Sequence, residues 1–242
     1  MIGIADISAN DLIRKALEEF GRGFAIATSF QDEGMVLVDM ALRISLETRV
    51  LTVDTGRLPA ATLDMIGIVE QHYGMRVEVA RPEAGEVAAM TSRFGMDLFR
   101  EDTAFRRLCC EVRKVRPLAA IADVRAWAFG LRRGQSESRR DIAQVEEYEG
   151  RLKLHPLAAW SKNEVADYVR EHAVPRHPLY AAGYATIGCD PCTRAVHAGE
   201  DERAGRWWWE QDADKECGIH FSPDGHAERR LDVLLSEVLA AR

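Results

Sequence analysis

The sequence predicts an α/β protein built on an open, mostly parallel sheet with helices on both faces. Three observations predict it. Short apolar runs rich in β-branched and aromatic residues alternate with longer runs of helical spacing. Gly, Asn, Asp or Pro punctuates the boundaries between them. Polar loops follow three of the predicted strands, where open parallel sheets receive ligands.

The elements follow in order. Ser8 to Asp11 caps a helix whose Leu12, Ile13, Leu17 and Phe20 recur at helical spacing, and Gly21-Arg22-Gly23 stops it. Phe24 to Thr28 is a short buried strand. Ser29 to Gly34 is a polar turn into an apolar helix from Met35 to Leu46. Arg49 to Val53 is a second strand ending at Asp54-Thr55-Gly56-Arg57. Pro59 suits the first turn of a helix that Gly74 closes after Tyr73. Met75 to Ala80 is a third strand. Residues 85–122 read mostly as helix, with Cys109-Cys110 inside it. Ala126 to Leu131 is a buried strand running into an arginine-rich loop, 132–140. Val145 to Tyr148 and Arg151 to Leu154, joined around Gly150, form a hairpin. Ser161-Lys162-Asn163-Glu164 is a capping box opening a helix to His172. The last segment, 224–241, carries leucines and valines at helical spacing.

The chain has 242 residues, 47% of them hydrophobic, which suffices for one large core with an appendage. A net charge of −7 argues against non-specific nucleic-acid binding. No apolar run approaches a membrane span, and Met1 to Asp6 lacks a signal-peptide pattern. Five cysteines in such a chain predict reduced thiols and a cytoplasmic protein. No linker clearly separates two domains.

Three strand-end loops, at Ser29–Gly34, Asp54–Arg57 and 132–140, together predict an anion site of nucleotide type. Hydroxyls, backbone amides and guanidinium groups would hold the phosphate, because no Walker-type or dinucleotide glycine loop is present. Four cysteines fall into two sets, Cys109-Cys110 and Cys189-x-x-Cys192, an all-sulfur donor group that suits zinc or an iron–sulfur cluster. Consecutive helical side chains diverge by about 100°, which favours the larger cluster over a single tetrahedral ion. Cys217 stands apart in Lys-Glu-Cys-Gly-Ile-His. Its acidic neighbours raise a thiol pKa, so a cationic pocket must activate it.

The set Cys-Cys, then Cys-x-x-Cys, then Glu-Cys-Gly-Ile-His resembles the assimilatory adenylyl-sulfate reductases, the iron–sulfur branch of the sulfonucleotide reductases. The likeness runs from about Phe24 to His220. Ser29-Phe30-Gln31-x-Glu33-Gly34 looks like the family's phosphate-facing loop. Asp54-Thr55-Gly56-Arg57 looks like its next ligand loop, and Gly130-Leu131-Arg132-Arg133-x-Gln135-Ser136 with Arg139 like its arginine loop. The resemblance implies an adenine-nucleotide α-hydrolase-like fold and a 4Fe-4S cluster on Cys109, Cys110, Cys189 and Cys192. It implies adenosine 5′-phosphosulfate as substrate and Cys217 as the nucleophile that forms an S-sulfocysteine. Thioredoxin or a glutaredoxin-like dithiol would then release sulfite. Lys114 matches a lysine between cluster and substrate, and Arg203 and Arg206 match arginines that contact the substrate. Residues 1–205 would form the nucleotide- and cluster-binding body and 206–242 the segment carrying the catalytic cysteine, in a homo-oligomer. A 3′-phosphoadenylyl-sulfate reductase, or an enzyme using both substrates, is the alternative. An ATP pyrophosphatase or tRNA-thiolating enzyme fits less well, because Ser29–Gly34 departs from the Ser-Gly-Gly-x-Asp-Ser loop of those enzymes.

Overall fold

The computed structural model describes residues 7–148, 150–210 and 225–241, with side chains of the last stretch from Arg230 onward. Six strands form one sheet: β1 (Phe24–Ala27), β2 (Arg49–Val53), β3 (Val77–Ala80), β4 (Ala126–Phe129), β5 (Val145–Tyr148) and β6 (Arg151–Leu154). Their spatial order is β3-β2-β1-β4-β6-β5. All neighbours are parallel except the β5–β6 hairpin, in which Glu146 lies opposite Lys153. The first three strands wind outward in one direction. The chain then returns to lay β4 on the other side of β1, so that Ile26 pairs with both Val50 and Ala128. This reversal opens a crevice at the carboxyl ends of β1 and β4.

The two faces of the sheet follow the alternation of side chains along each strand. Phe24, Ile26, Val50, Ala126, Ala128 and Leu154 face one way and bury against α1 (Ala9–Phe20), α2 (Asp32–Ile44), α3 (Ala60–Tyr73) and α7 (Lys162–Glu171). Ala25, Leu51, Trp127 and Phe129 face the other way, against Leu118 of α6 (Arg116–Ala119) and Val124. Fully burying a large apolar side chain contributes roughly 1.5–3 kcal/mol, so both faces hold the sheet. Helix α2 is the central one, with nearly every position from Gly34 to Leu42 buried. Its buried Asp39 accepts from Tyr73 Oη at 3.1 Å, Tyr168 Oη at 2.8 Å and Arg43 Nε at 2.6 Å. One carboxylate thus ties α2 to α3 and α7, and burial beside it pushes both tyrosine pKa values up.

The span 85–122 is not one long helix. Helix α4 (Ala84–Phe94) ends at Gly95, whose φ of 84° no β-carbon tolerates easily. Asp102 then caps a new helix by accepting from Phe105 N at 3.0 Å. That helix runs as α5 (Thr103–Cys110), a π-helical turn (Glu111–Val115) and α6. The final helix, α8 (Gly225–Ala240), packs through Leu231, Leu234, Leu235 and Val238 on a third apolar cluster. That cluster holds Met90 of α4, Leu108 and Cys109 of α5, Cys192 and Trp207. Arg93–Glu237 and Arg230–Asp102 ion pairs flank this packing. Among the described residues no helix is long and apolar enough to cross a membrane.

Candidate active site

The crevice between β1 and β4 deepens into a cavity of about 190 Å³. Its lining includes apolar Ala27, Leu51, Val53, Leu118, Phe129 and Leu131. It also includes Ser29, Gln31, Glu33 and Gln135, with four cationic side chains: Lys114, Arg139, Arg203 and Arg206. A lining that combines apolar surface with several cations suits a base and an anionic group.

The loop after β1 is held tightly. Thr28 Oγ1 accepts from Phe30 N at 2.9 Å, and Phe30 adopts φ 60° while burying its ring completely. Gln31 accepts from Ile187 N at 2.8 Å and donates to Ser29 Oγ at 2.9 Å, linking this loop to the segment before Cys189. The start of α2 fits only because two glycines meet there. A β-carbon on Gly34 would lie 2.4 Å from Thr28 Oγ1, and one on Gly130 would lie 2.8 Å from Gly34 N. In the arginine loop, Glu33 Oε1 accepts from Arg132 Nε at 2.9 Å and Gln135 Nε2 at 3.0 Å. Gln135 Oε1 in turn accepts from Arg139 Nη1, which keeps Arg139 against the cavity. Arg133 donates to Ile142 O at 3.0 Å, and Ser136 Oγ lies 3.0 Å from Ser138 Oγ.

All four cysteines named from the two sulfur motifs line one second, smaller cavity. Cys109 and Cys110 end α5, immediately before the π-turn that carries Arg113 and Lys114. Cys189 and Cys192 bracket a single 3-10 turn, in which Cys192 N donates to Cys189 O at 3.0 Å. Asp190 N donates to Arg57 O at 2.8 Å, which pins that turn to the loop after β2. Thr55 Oγ1 stands 3.2 Å from Cys189 Sγ. Arg57, Arg106 and Arg113 surround the sulfurs, and buried Arg113 donates to Thr55 O at 2.9 Å.

Burial pushes the Cys109 thiol up to about 11, with Arg113 working against the rise. Burial and Cys189 push Cys192 up to about 12, with Arg206 and Lys114 opposing. Bare Cys109 and Cys192 thiols therefore stay protonated at neutral pH, and a cation bound beside them would be needed to make them thiolates. Among the described residues no group of three or more His, Cys, Asp or Glu is drawn tightly enough to hold a metal ion as it stands. The donor set itself fits a soft metal group: four sulfurs, ringed by arginines that offset thiolate charge.

The two cavities share a wall. Lys114 lines both. Trp207, at φ 42° and fully buried, lines the larger one and donates its backbone N–H to Cys192 O at 3.1 Å. The Arg206 guanidinium lies 4.4 Å from the Trp207 ring centroid and rests on Gly188.

The expected residues thus divide. Ser29, Gln31, Glu33, Gln135, Arg139, Arg203, Arg206 and Lys114 meet at the larger cavity, and Thr55 and Arg57 stand at the sulfur cavity instead. Asp54 accepts from Gly56 N at 3.0 Å and shapes the turn there. Phe30, Arg132, Arg133 and Ser136 support the loops as described. Cys217 lies outside the described residues. Arg106 and Arg113 were not singled out from sequence, and Trp207 stood out only within the triplet Trp207-Trp208-Trp209, whose closeness to Arg203 and Arg206 left a gating role open beside a docking or core one. The signal was present in the spacing, since Arg106 precedes Cys109 and Cys110 by three and four helical positions and so shares their face.

The profile of the family described as the phosphoadenosine phosphosulfate reductase domain matches residues 23–195. The adenosine 5′-phosphosulfate reductase of Allochromatium vinosum is 44% identical over 224 residues, covering 90% of this chain and 87% of that one. The enzyme of the same name from Burkholderia cepacia is 43% identical, covering 81% and 80%. The chain spans about half of the chloroplastic 5′-adenylylsulfate reductase 3 of Arabidopsis thaliana (49% of it), at 41% identity over 90% of this chain. Among solved structures, the phosphoadenylyl-sulfate reductase of Candida auris, in a phosphate complex, superposes with a TM-score of 0.65 at 24% identity, over 79% of this chain and 91% of that one. Yeast FAD synthetase with FAD superposes at 0.51 and 14% identity, over 80% and 70%. These two show the fold, an α/β sheet with helices on both faces. The profile match and the identity to full-length relatives together show that this chain belongs to the phosphoadenosine phosphosulfate reductase family.

Proposed function

We propose that the protein reduces adenosine 5′-phosphosulfate to sulfite and AMP in sulfate assimilation. The observation that carries this reading is the shared wall: a cavity of nucleotide type and a four-cysteine cavity meet at Lys114. The names of the relatives support the same substrate. The nucleotide's base would lie against the apolar side chains, and its anionic end would face Lys114, Arg139, Arg203 and Arg206.

In this reading the Cys217 thiolate attacks the sulfur of the sulfuryl group. A sulfur–sulfur bond forms, the bond from sulfur to the bridging phosphate oxygen breaks, and AMP leaves with the electron pair. Cationic side chains offset the charge that develops on the transferring group and on the phosphate. A dithiol protein of the thioredoxin or glutaredoxin type then attacks Cys217 Sγ, and sulfite leaves with that bond's electron pair. The partner's second thiol closes its own disulfide and frees Cys217, so the two electrons come from the partner. Cys109, Cys110, Cys189 and Cys192 would hold a 4Fe-4S cluster. Bound there, it would supply structural order, with Lys114 and the arginines offsetting the net negative charge of its thiolate ligands. The division into a body, 1–205, and a catalytic segment, 206–242, belongs to this reading, as do the cytoplasmic setting and the homo-oligomer.

The test is sulfite release from adenosine 5′-phosphosulfate and its 3′-phosphorylated form side by side, with thioredoxin as donor and anaerobically purified protein. The expected outcome is turnover that strongly prefers the unphosphorylated form. Preference for the 3′-phosphorylated form would favour the alternative, and no sulfite from either would defeat both.

A further inference from the structure

We infer that Arg106 is a positioning residue that sets Arg206 over the nucleotide cavity, acting through the ring of Trp207. The inference rests on the cavity's reading as a site for a nucleotide anion. Arg106 is completely buried, one helical turn before the cysteine pair. It forms an ion pair with Glu210, and its guanidinium carbon lies 4.2 Å from the Trp207 ring centroid. Arg206 stacks on the same ring at 4.4 Å. Two guanidinium groups therefore share one indole, one of them lining the sulfur cavity and the other the nucleotide cavity.

This arrangement is an expensive way to fill space. A buried ion pair is often no more stabilising than apolar side chains of like volume. Trp207 also sits at φ 42°, a conformation that persists only where surrounding contacts enforce it. Those contacts are Trp207 N to Cys192 O, Glu210 N to Trp207 O at 2.9 Å, and the Arg106–Glu210 pair. Together they fix the ring, and the ring fixes Arg206. Arg206 has little other support: it donates to Ile187 O at 3.2 Å and lies flat on Gly188.

Gly188 provides a direct comparison. A β-carbon there would come within 2.4–2.6 Å of the Arg206 guanidinium, the far end of a flexible side chain, so alanine would move that group aside. If Arg106 works through Arg206, its loss matters only while Arg206 is in place.

The experiment is a double-variant cycle of Arg106→Met and Gly188→Ala in a Cys217→Ser background, which blocks the reaction. Binding of adenosine 5′-phosphosulfate is measured by calorimetry on anaerobically purified protein. Each single variant should weaken binding on the order of tenfold, as loss of a charge-assisted contact does. The double variant should be no weaker than the worse single one, to within about twofold. Multiplying losses would overturn the inference. Arg106→Lys keeps the charge but loses the flat face, and should match Arg106→Met; wild-type binding by Arg106→Lys would also overturn it. If neither Arg106 variant keeps the wild-type melting curve, the residue is structural and the inference fails. Inorganic phosphate is titrated in parallel, because it tests Arg206 without requiring the nucleotide. Failure of the substrate reading then leaves the phosphate cycle intact.

Discussion

At the scale of single residues, the sulfurs are sorted by their surroundings. Cys109 and Cys192 are buried thiols raised well above the ordinary range, so they are poor nucleophiles without a bound cation. Under the proposed function, Cys217 is the thiol left over for chemistry. Cys217→Ser is expected to keep its iron and lose sulfite release. Iron analysis beside the activity assay checks this, and a variant that still turns over would remove Cys217 from the mechanism. Lys114→Ala should lower the rate of sulfur transfer by about 10²-fold, the usual cost of removing one group that stabilises developing charge. Rapid-quench measurement of AMP release would read it, and an unchanged rate would assign that role to the arginines alone.

Among the elements, the turn Pro178–Ala182 and helix α8 carry the clearest consequences. His177 caps that turn: its Nδ1 accepts from Leu179 N at 3.2 Å, and its ring Nε2 lies 2.9 Å from Thr62 Oγ1. Accepting from an amide requires an unprotonated Nδ1, and burial lowers the pKa. The folded state thus binds fewer protons here than the unfolded chain does. The stability this contributes is present above the unfolded histidine pKa of about 6.5 and is lost as pH falls through the lower folded value. Urea unfolding at stepped pH should show stability falling below that point, and a shallower fall in His177→Asn. Helix α8 is the second case. Leu234 is buried against the α4–α5 layer, so Leu234→Ala should cost about 2–5 kcal/mol in denaturant unfolding. A cost near zero would mean that the helix does not rest on that layer in solution. Sequence spacing located α8 but not its packing partner, because a leucine stripe specifies an apolar neighbour without naming one. It also merged α4 with α5, since the break depends on the φ of Gly95 and the cap of Asp102.

Across the whole molecule, the legible part was the sheet. Short apolar runs and strand-end loops announced four strands of the parallel array, and the hairpin 145–154, visible from Gly150, supplied the fifth together with the antiparallel edge. The four cysteines were legible as one set because soft-metal chemistry demands company. Arg106 was not, since an arginine on an amphipathic helix usually has a simpler role, and the tryptophan triplet was visible without the placement of the Trp207 ring between two arginines. The sheet and the sulfur cavity rest on different apolar clusters. Stripping the metal should therefore loosen one layer and spare the other. Hydrogen exchange is expected to speed up in 103–119 and 187–193 while β1, β2 and β4 stay protected. Uniform loss of protection would mean that the two layers unfold as one unit.

Lys114 faces both chambers, and its charge is felt at Cys192. An anion arriving on one side draws on the same ammonium that steadies sulfur on the other. Occupancies of the two chambers are then terms in one equilibrium, and thermodynamics makes the exchange symmetric. Under the proposed function, whatever factor a nucleotide would impose on the affinity of the thiol quartet for a metal, the metal would impose on the nucleotide.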